Sequence, residues 1–325
     1  MPGFDLMYDF FGEAGDRVWT PADWAWIGGL FDAVMPAWHH GRPVVGTDRH
    51  GFDPHWAGQL MVTHGVRNAF LPPTALRMLR ASDIRGDGLR LRSVMSGGEP
   101  LGQEILAWGS GALGVTINEI YGQTEANIVV GNCQVLWPVK PGSMGRPYPG
   151  HAVAVVDDDG AAVAPGEVGQ IAVRSPDPVM FLQYWGQPEA TEARFLGEWM
   201  LTGDLGHVDE DGYLWFTSRA DDVILSAGYR IGPGEIEDCL MRHPAIVMAA
   251  VIGVPDDLRG QVVKAYVQLG DGVDPSAHLG EDIKAFVRAR LSAHEYPRMV
   301  EFMDQLPLTT TGKIRRNVLR SQASG

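Results

Sequence analysis

Tyr121-Gly122-Gln123-Thr124-Glu125 sets an aromatic ring, a hydroxyl and a carboxylate within one short stretch. Thr124 can donate to a phosphate oxygen, Glu125 can hold a hard cation such as Mg2+, and Tyr121 can offer a flat face to a base. The same residues also suit an ordinary turn, and the sequence alone leaves both readings open. Ser96-Gly97-Gly98-Glu99-Pro100 has the same double status. Glycines let a backbone come close to a flat ligand, yet Gly-Gly pairs also simply make turns. Thr202-Gly203-Asp204 puts a carboxylate beside a glycine, which suits a pair of ribose hydroxyls and equally suits many loops.

Further along, Ser218-Arg219-Ala220-Asp221-Asp222 and Ser226-Ala227-Gly228-Tyr229-Arg230-Ile231 place two arginines and a glycine around a short apolar strand. Arginines can grip phosphate in a fork. Leu308-Thr309-Thr310-Thr311-Gly312-Lys313 is a small hydroxyl-rich loop ending in a lysine, able to carry an ammonium into a site and withdraw it. The run Lys313-Ile314-Arg315-Arg316 is locally basic, and from charge alone it reads as a solvated face.

These residues need elements to hold them. Leu91 to Met95 reads as a strand running into the Gly-Gly turn, followed by a helix over Leu101 to Leu113 and a strand over Val115 to Tyr121. Strand, Gly-rich turn, helix and strand is the rhythm of an α/β sheet with parallel pairing. Val66 to Phe70 is a short apolar run, and Pro72-Pro73 starts a helix through Leu79. After Pro141 the texture turns antiparallel, with strands at Ala152 to Val156, Ile171 to Val173, Leu205 to Val208 and Tyr213 to Phe216. Turns at Asp158-Asp159-Gly160, Pro165-Gly166 and Asp209 to Gly212 punctuate them. From about Asp221 two α/β units follow: helices at Pro233 to Met241 and His278 to Leu291, strands at Met248 to Val254, Val262 to Leu269 and Met299 to Met303. The boundary is expected near Arg219 to Asp222, where a cleft would form.

Composition narrows the function classes. Apolar residues make up 45% of the 325 residues and charged residues 20%, the profile of a folded globular chain of two domains, or of one large one with an appendage. The formal net charge of −14 argues against a nucleic-acid partner, which would want a basic face. No run of apolar residues is long enough for a spanning helix. The start of the chain carries Asp5 and Asp9 but no basic residue, unlike a secretory signal. Cys133 and Cys239 are the two cysteines, which indicates neither a disulfide framework nor a zinc site and fits the cytoplasm.

In combination and order, the motifs at Tyr121 to Glu125, Leu201 to Asp204, Arg219 to Glu237 and Pro307 to Lys313 resemble the adenylate-forming superfamily of acyl-CoA synthetases, nonribosomal adenylation domains and luciferases. The likeness runs from Asp16 to Arg320. The Trp-rich segment Arg17 to Val45 and the run Ala227 to Pro233 look most like bacterial short- to medium-chain acyl-CoA synthetases. The resemblance implies an α/β fold. Residues 1–219 would be the remainder of a large adenylate-forming domain (an α/β sheet plus an antiparallel β subdomain), and 220–325 a small mobile α+β C-terminal domain.

It also implies a reaction: a carboxylate joins the α-phosphate of ATP, releasing pyrophosphate, and CoA then displaces AMP. On this likeness Gly97, Gly98, Glu99, Pro100 and Tyr121 would surround adenine, with Gly122 and Gln123 beside the nucleotide. Thr124 would touch the α-phosphate, Glu125 would hold Mg2+, and Asp204 and Arg219 would bind ribose. Lys313 would bridge the carboxylate and α-phosphate, where negative charge accumulates. Asp221 would be the hinge of a rotation that withdraws Lys313 and brings forward a CoA face with Gly228, Tyr229, Arg230 and Arg288. Gly122 stands where acetate-specific relatives place a tryptophan, which implies an acyl group longer than acetyl.

One part of the pattern is missing. The family's Ser/Thr/Gly-rich loop ending in lysine, which cradles the β- and γ-phosphates, should precede the Trp-rich segment, yet the fifteen residues before Asp16 contain none. An impaired ATP half-reaction, and self-association through apolar surface around the N-terminal tryptophans, are therefore expected. Two other readings stay in view: a non-catalytic binder of nucleotide or acyl-adenylate, and an adenylation domain feeding a carrier protein. The twelve residues after Lys313 hold no carrier domain, which disfavours the last.

Overall fold

The computed structural model describes residues 13, 15–49, 51–99, 101–270, 272–292, 294–309 and 314–323. Its strands are β1 (Val18–Trp19), β2 (Val44–Val45), β3 (Asn68–Phe70), β4 (Ser93–Gly97), β5 (Ile117–Gln123), β6 (Ala126–Gly131), β7 (Arg146–Pro147), β8 (Val153–Val156) and β9 (Gly169–Arg174). They continue with β10 (Phe195–Leu196), β11 (Trp199–Val208), β12 (Leu214–Arg219), β13 (Ile224–Ser226), β14 (Tyr229–Ile231), β15 (Ile246–Asp256), β16 (Gly260–Leu269) and β17 (Met299–Phe302). By contact density the chain divides into two compact units. One holds the described residues up to Thr202 with Gly206–Phe216, the other Gly203–Leu205 with those from Thr217 onward.

In the first unit a seven-stranded sheet runs in the order β2-β1-β3-β4-β5-β6-β7. The pairs from β2 through β5 are parallel, and β6 and β7 close the edge antiparallel. A parallel sheet needs helices on both faces. Side-chain alternation shows how these strands supply two apolar faces. Trp19, Ala69 and Val94 join a core with helices Pro54–Thr63, Pro73–Ala81 and Gln103–Trp108. Their neighbours Val18, Phe70 and Met95 join another with Ala33, Ala37, Ile128 and Tyr148. Truncating fully buried Phe70 to alanine costs about 3–5 kcal/mol by the usual cavity penalty. Asp53 caps the first of these helices by accepting from the Trp56 N–H at 2.9 Å.

A second sheet has the order β10-β11-β9-β8, with β12 beside β11. Its core includes Val155, Ile171, Val173, Met200 and Leu214, joined by Ala126 and Val130 of β6.

The second unit contains the sheet β14-β13-β16-β15, with β17 parallel to β16. Alternation again sorts its faces. Val251, Val263 and Ala265 meet helices Pro233–Leu240 and Ala277–Arg288, whereas Ile252, Val262 and Tyr266 meet Leu306 and Leu319. Leu319 lies on helix Arg316–Ala323. The α/β fold with mixed sheets agrees with the expectation. Among the departures, two bear on the candidate site: β5 extends to Gln123, so the turn shrinks to Thr124-Glu125, and β6 returns where no strand was expected.

Candidate nucleotide site

β4 and β5 are parallel neighbours, with Gly97 opposite Ile120. Gly98-Glu99 and Thr124-Glu125 therefore follow these strands at the same end, the carboxyl end where open α/β sheets bind ligands. Gly97 permits this close pairing: a Cβ there would lie 2.5 Å from Ile120 Cγ1 and 2.6 Å from its carbonyl oxygen. Gly98 turns the chain with φ +99°, and Glu99 accepts from Arg77 Nη1 at 3.3 Å. Pro100 lies outside the described residues.

Gly122 sits at a register shift between Tyr121 and Gln123. A Cβ on it would lie 2.3 Å from Ile128 N and 2.7 Å from Ile128 Cα. The glycine thus has a backbone reason of its own, apart from any acyl pocket. Ile128 holds φ +21°, a strained value for a β-branched residue.

Gln123 and Glu125 are both held. Gln123 Nε2 donates to the Thr202 carbonyl at 3.0 Å, and its Oε1 accepts from Arg194 Nη2 at 2.6 Å. The Tyr184 hydroxyl donates to Glu125 Oε1 at 2.6 Å, and the Phe181 N–H donates to the Glu125 carbonyl at 2.7 Å. Burial and then the Glu125 contact push the Tyr184 phenol up, so it stays a donor near neutrality. Thr124 is exposed on the turn between the strands. Among the described residues no group of three His, Cys, Asp or Glu gathers as a metal cage. A single carboxylate such as Glu125 suits Mg2+, which takes one or two carboxylates and completes its shell with phosphate and water. Tyr184 and Arg194 were not legible as functional from their sequence: their surroundings show only a short Pro-started helix, Pro188–Glu192.

Two buried carboxyls flank this region in sequence. Burial pushes Asp32 up to about 7, against the pull of a hydrogen bond with Asn127, and leaves its Oδ1 without a partner. Burial likewise raises Glu119 to about 7, although its Oε1 accepts from the Leu101 N–H at 3.0 Å.

The second unit carries the remaining candidates. Arg219 Nη1 bonds Asp204 Oδ1 at 3.0 Å, so the two expected ribose residues pair with each other. Asp221 lies in the 3-10 turn Ala220–Asp222 with an exposed side chain, whereas its neighbour Asp222 is buried. Gly228 has φ +87° and open space at its Cβ position, and Ala227 before it holds φ +51°. Tyr229 stacks on His294 with centroids 4.1 Å apart and planes 13° from parallel. Arg288 lies 5.3 Å over the Tyr296 ring, which Arg298 shares at 5.2 Å. Arg230 belongs to β14, its side chain outside the described set.

Lys313 also lies outside the described residues, but both ends of its loop are fixed: Leu308 bridges Ile314, and the Arg315 N–H donates to the Pro307 carbonyl at 2.8 Å. The basic run is not wholly a solvated face. Arg316 Nη2 bonds both carboxylate oxygens of Glu237, at 2.8 and 2.6 Å, and its Nη1 reaches Asp222 at 3.4 Å. Arg320 bonds Asp222 as well. Among the described residues no helix is long and apolar enough to cross a membrane.

Residues 3–185 match the sequence profile of the AMP-binding enzymes, and 235–313 that of the AMP-binding enzyme C-terminal domain. Acetyl-coenzyme A synthetase of Bacillus subtilis is 38% identical over 311 residues, covering 94% of this chain and 54% of that protein. The human mitochondrial acyl-coenzyme A synthetase ACSM4 is 38% identical over 317 residues, covering 95% and 54% respectively. The chain thus spans about half the length of the curated relatives it matches. Among solved structures, ATP-bound MatB from Rhodopseudomonas palustris superposes with a TM-score of 0.87 at 29% identity, covering 98% of this chain and 62% of its own.

Proposed function

Because the chain belongs to the AMP-binding enzyme family, we propose that the protein carrying these residues is an AMP-forming carboxylate–CoA ligase. Its substrates are a small-molecule carboxylate, ATP and CoA, joined through an acyl-adenylate to give acyl-CoA, AMP and pyrophosphate. The observation that supports this reading is that Gly97-Gly98 and Thr124-Glu125 follow neighbouring parallel strands at one end of the β4–β5 pair. Close backbone approach to a flat base, a hydroxyl for phosphate and a carboxylate for a hard cation are the groups an adenylate would use.

The roles follow from the chemistry of each group. Gly97 to Pro100 and Tyr121 enclose adenine, Gly122 and Gln123 border the nucleotide, and Asp204 with Arg219 takes the ribose hydroxyls. Thr124 donates to the α-phosphate, and Glu125 would hold Mg2+, which screens the polyphosphate charge when bound. Lys313 neutralises charge between the attacking carboxylate and the α-phosphate. Asp221 is the hinge between residues 1–219 and 220–325. Gly228, Tyr229, Arg230 and Arg288 serve CoA. The acyl group is short to medium and longer than acetyl, and the place of work is the cytoplasm.

Calorimetry with AMP beside a CoA-dependent turnover assay tests the reading. Binding with turnover in the presence of CoA supports it. Binding without turnover makes the protein a holder of nucleotide or adenylate, and turnover indifferent to CoA turns attention to a carrier protein as acceptor. A pyrophosphate-release series over acid chain length would reject the acyl assignment if acetate gave the best kcat/KM.

A further inference from the structure

The segment Val179–Arg194 is tied to the stretch Gln123–Asn127 at several points. Two are backbone bonds: the Asn127 N–H donates to the Val179 carbonyl at 3.3 Å, and the Phe181 N–H donates to the Glu125 carbonyl at 2.7 Å. Two are side chains aimed at side chains, Tyr184 on Glu125 and Arg194 on Gln123, both at 2.6 Å. The Tyr184 ring is itself immobilised. It lies 4.9 Å from Phe181, which stacks on Phe195, and the Tyr184 N–H donates to Thr191 Oγ1 at 2.9 Å. In contrast Leu182 and Trp185, beside these residues in sequence, are 93% and 92% exposed. The segment thus anchors Met180 and Phe181 in the core of the second sheet and aims Tyr184 and Arg194 at side chains of β5 and the turn, while Leu182 and Trp185 stay in solvent.

We propose that Tyr184 is a positioning residue for Glu125: its hydroxyl occupies Oε1 and turns the carboxylate so that Oε2 faces a divalent cation held with nucleotide phosphate. Arg194 does the parallel work on Gln123, fixing its amide through Oε1 while Nε2 is tied to Thr202. Both act through the residues they hold rather than on the nucleotide. A hydrogen bond from a phenol to a carboxylate removes rotamer freedom that cation binding would otherwise have to remove. The inference rests on the nucleotide reading above and extends it to two residues outside its motifs.

The test uses the 325-residue chain and its Tyr184→Phe variant, which keeps the ring against Phe181 and removes only the hydroxyl. Mn2+ binding in the presence of ATP is followed by electron paramagnetic resonance, and AMP binding without metal by calorimetry. Tyr184→Phe is expected to melt with the parent and to bind AMP within about twofold, while its Mn2+ dissociation constant rises about tenfold, the scale of one hydrogen bond to a charged group. In a Glu125→Gln background the same substitution should change Mn2+ binding no further, because its only route is through that carboxylate. Unchanged Mn2+ binding in Tyr184→Phe, an equal additional loss in the Glu125→Gln background, or a parallel fall in melting temperature, AMP and Mn2+ affinity would each overturn the assignment. A parent that binds AMP but no Mn2+ removes the positioning role and leaves the nucleotide reading standing. A parent that binds no AMP removes both, and shows it before any variant is made.

Discussion

At the scale of single residues, the buried carboxyls Asp32 and Glu119 make stability fall as pH rises. Their folded values, near 7, lie above the unfolded carboxylate range. The folded chain thus binds more protons than the unfolded chain between roughly pH 4 and 7, and stability is lost as pH climbs through that window. Each group should cost about 2 kcal/mol between pH 5 and pH 8. Urea unfolding across that range should show the slope, and Asp32→Asn or Glu119→Gln should each flatten it. Gly122→Ala is expected to lose about 2 kcal/mol or more in the same assay, since its methyl would drive into the Ile128 backbone. A urea midpoint equal to the parent's would contradict that. The sequence made Thr124 and Glu125 candidates by setting a hydroxyl and a carboxylate just after a strand, and it left an ordinary turn equally open. It could not show why Gly122 is glycine, because the obstructing atoms are backbone atoms six residues away, across a bulge that no local pattern marks.

At the scale of elements, the helix Pro233–Leu240 and the helix Arg316–Ala323 are joined by charge inside the second unit. Burial pushes the Glu237 carboxyl up while Arg316 pulls it down, and Asp222 completes the cluster with Arg316 and Arg320. Removing the Glu237 carboxylate leaves Arg316 with Asp222 and takes the acceptor from the Val251 N–H, so Glu237→Ala should cost about 2–3 kcal/mol. Denaturant unfolding monitored by amide exchange in β15 and β16 would read it, and an unshifted midpoint would refute it. Many strands of both units were visible in advance as short apolar runs between turn residues, such as Leu91 to Met95 and Val262 to Leu269, whereas Val18–Trp19 and Ala126–Gly131 were not. The carboxyl-terminal helix was not. Four residues of basic sequence look the same whether they face solvent or a buried glutamate, and Glu237 lies 79 residues from Arg316.

For the molecule as a whole, exposed apolar surface sets the next expectation. Trp24, Phe31, Met35 and Trp38 stay 37%, 47%, 37% and 58% exposed, and Trp24 meets Trp38 edge-on at 6.0 Å. Sedimentation of the 325-residue chain should show self-association that Phe31→Glu with Trp38→Glu reduces. A single monomeric boundary for the parent would contradict this.

The neck formed by Leu308 and Ile314 carries a last consequence. Ile314 packs against the cluster of Ile252, Val254, Val262 and Tyr266, so the neck is moored to one face of β15 and β16. Lys313 precedes it in sequence and is the residue proposed above to meet the adenylate, and that mooring would make the sheet its carrier. Inserting glycines after Gly312 should therefore slow adenylation rather than speed it.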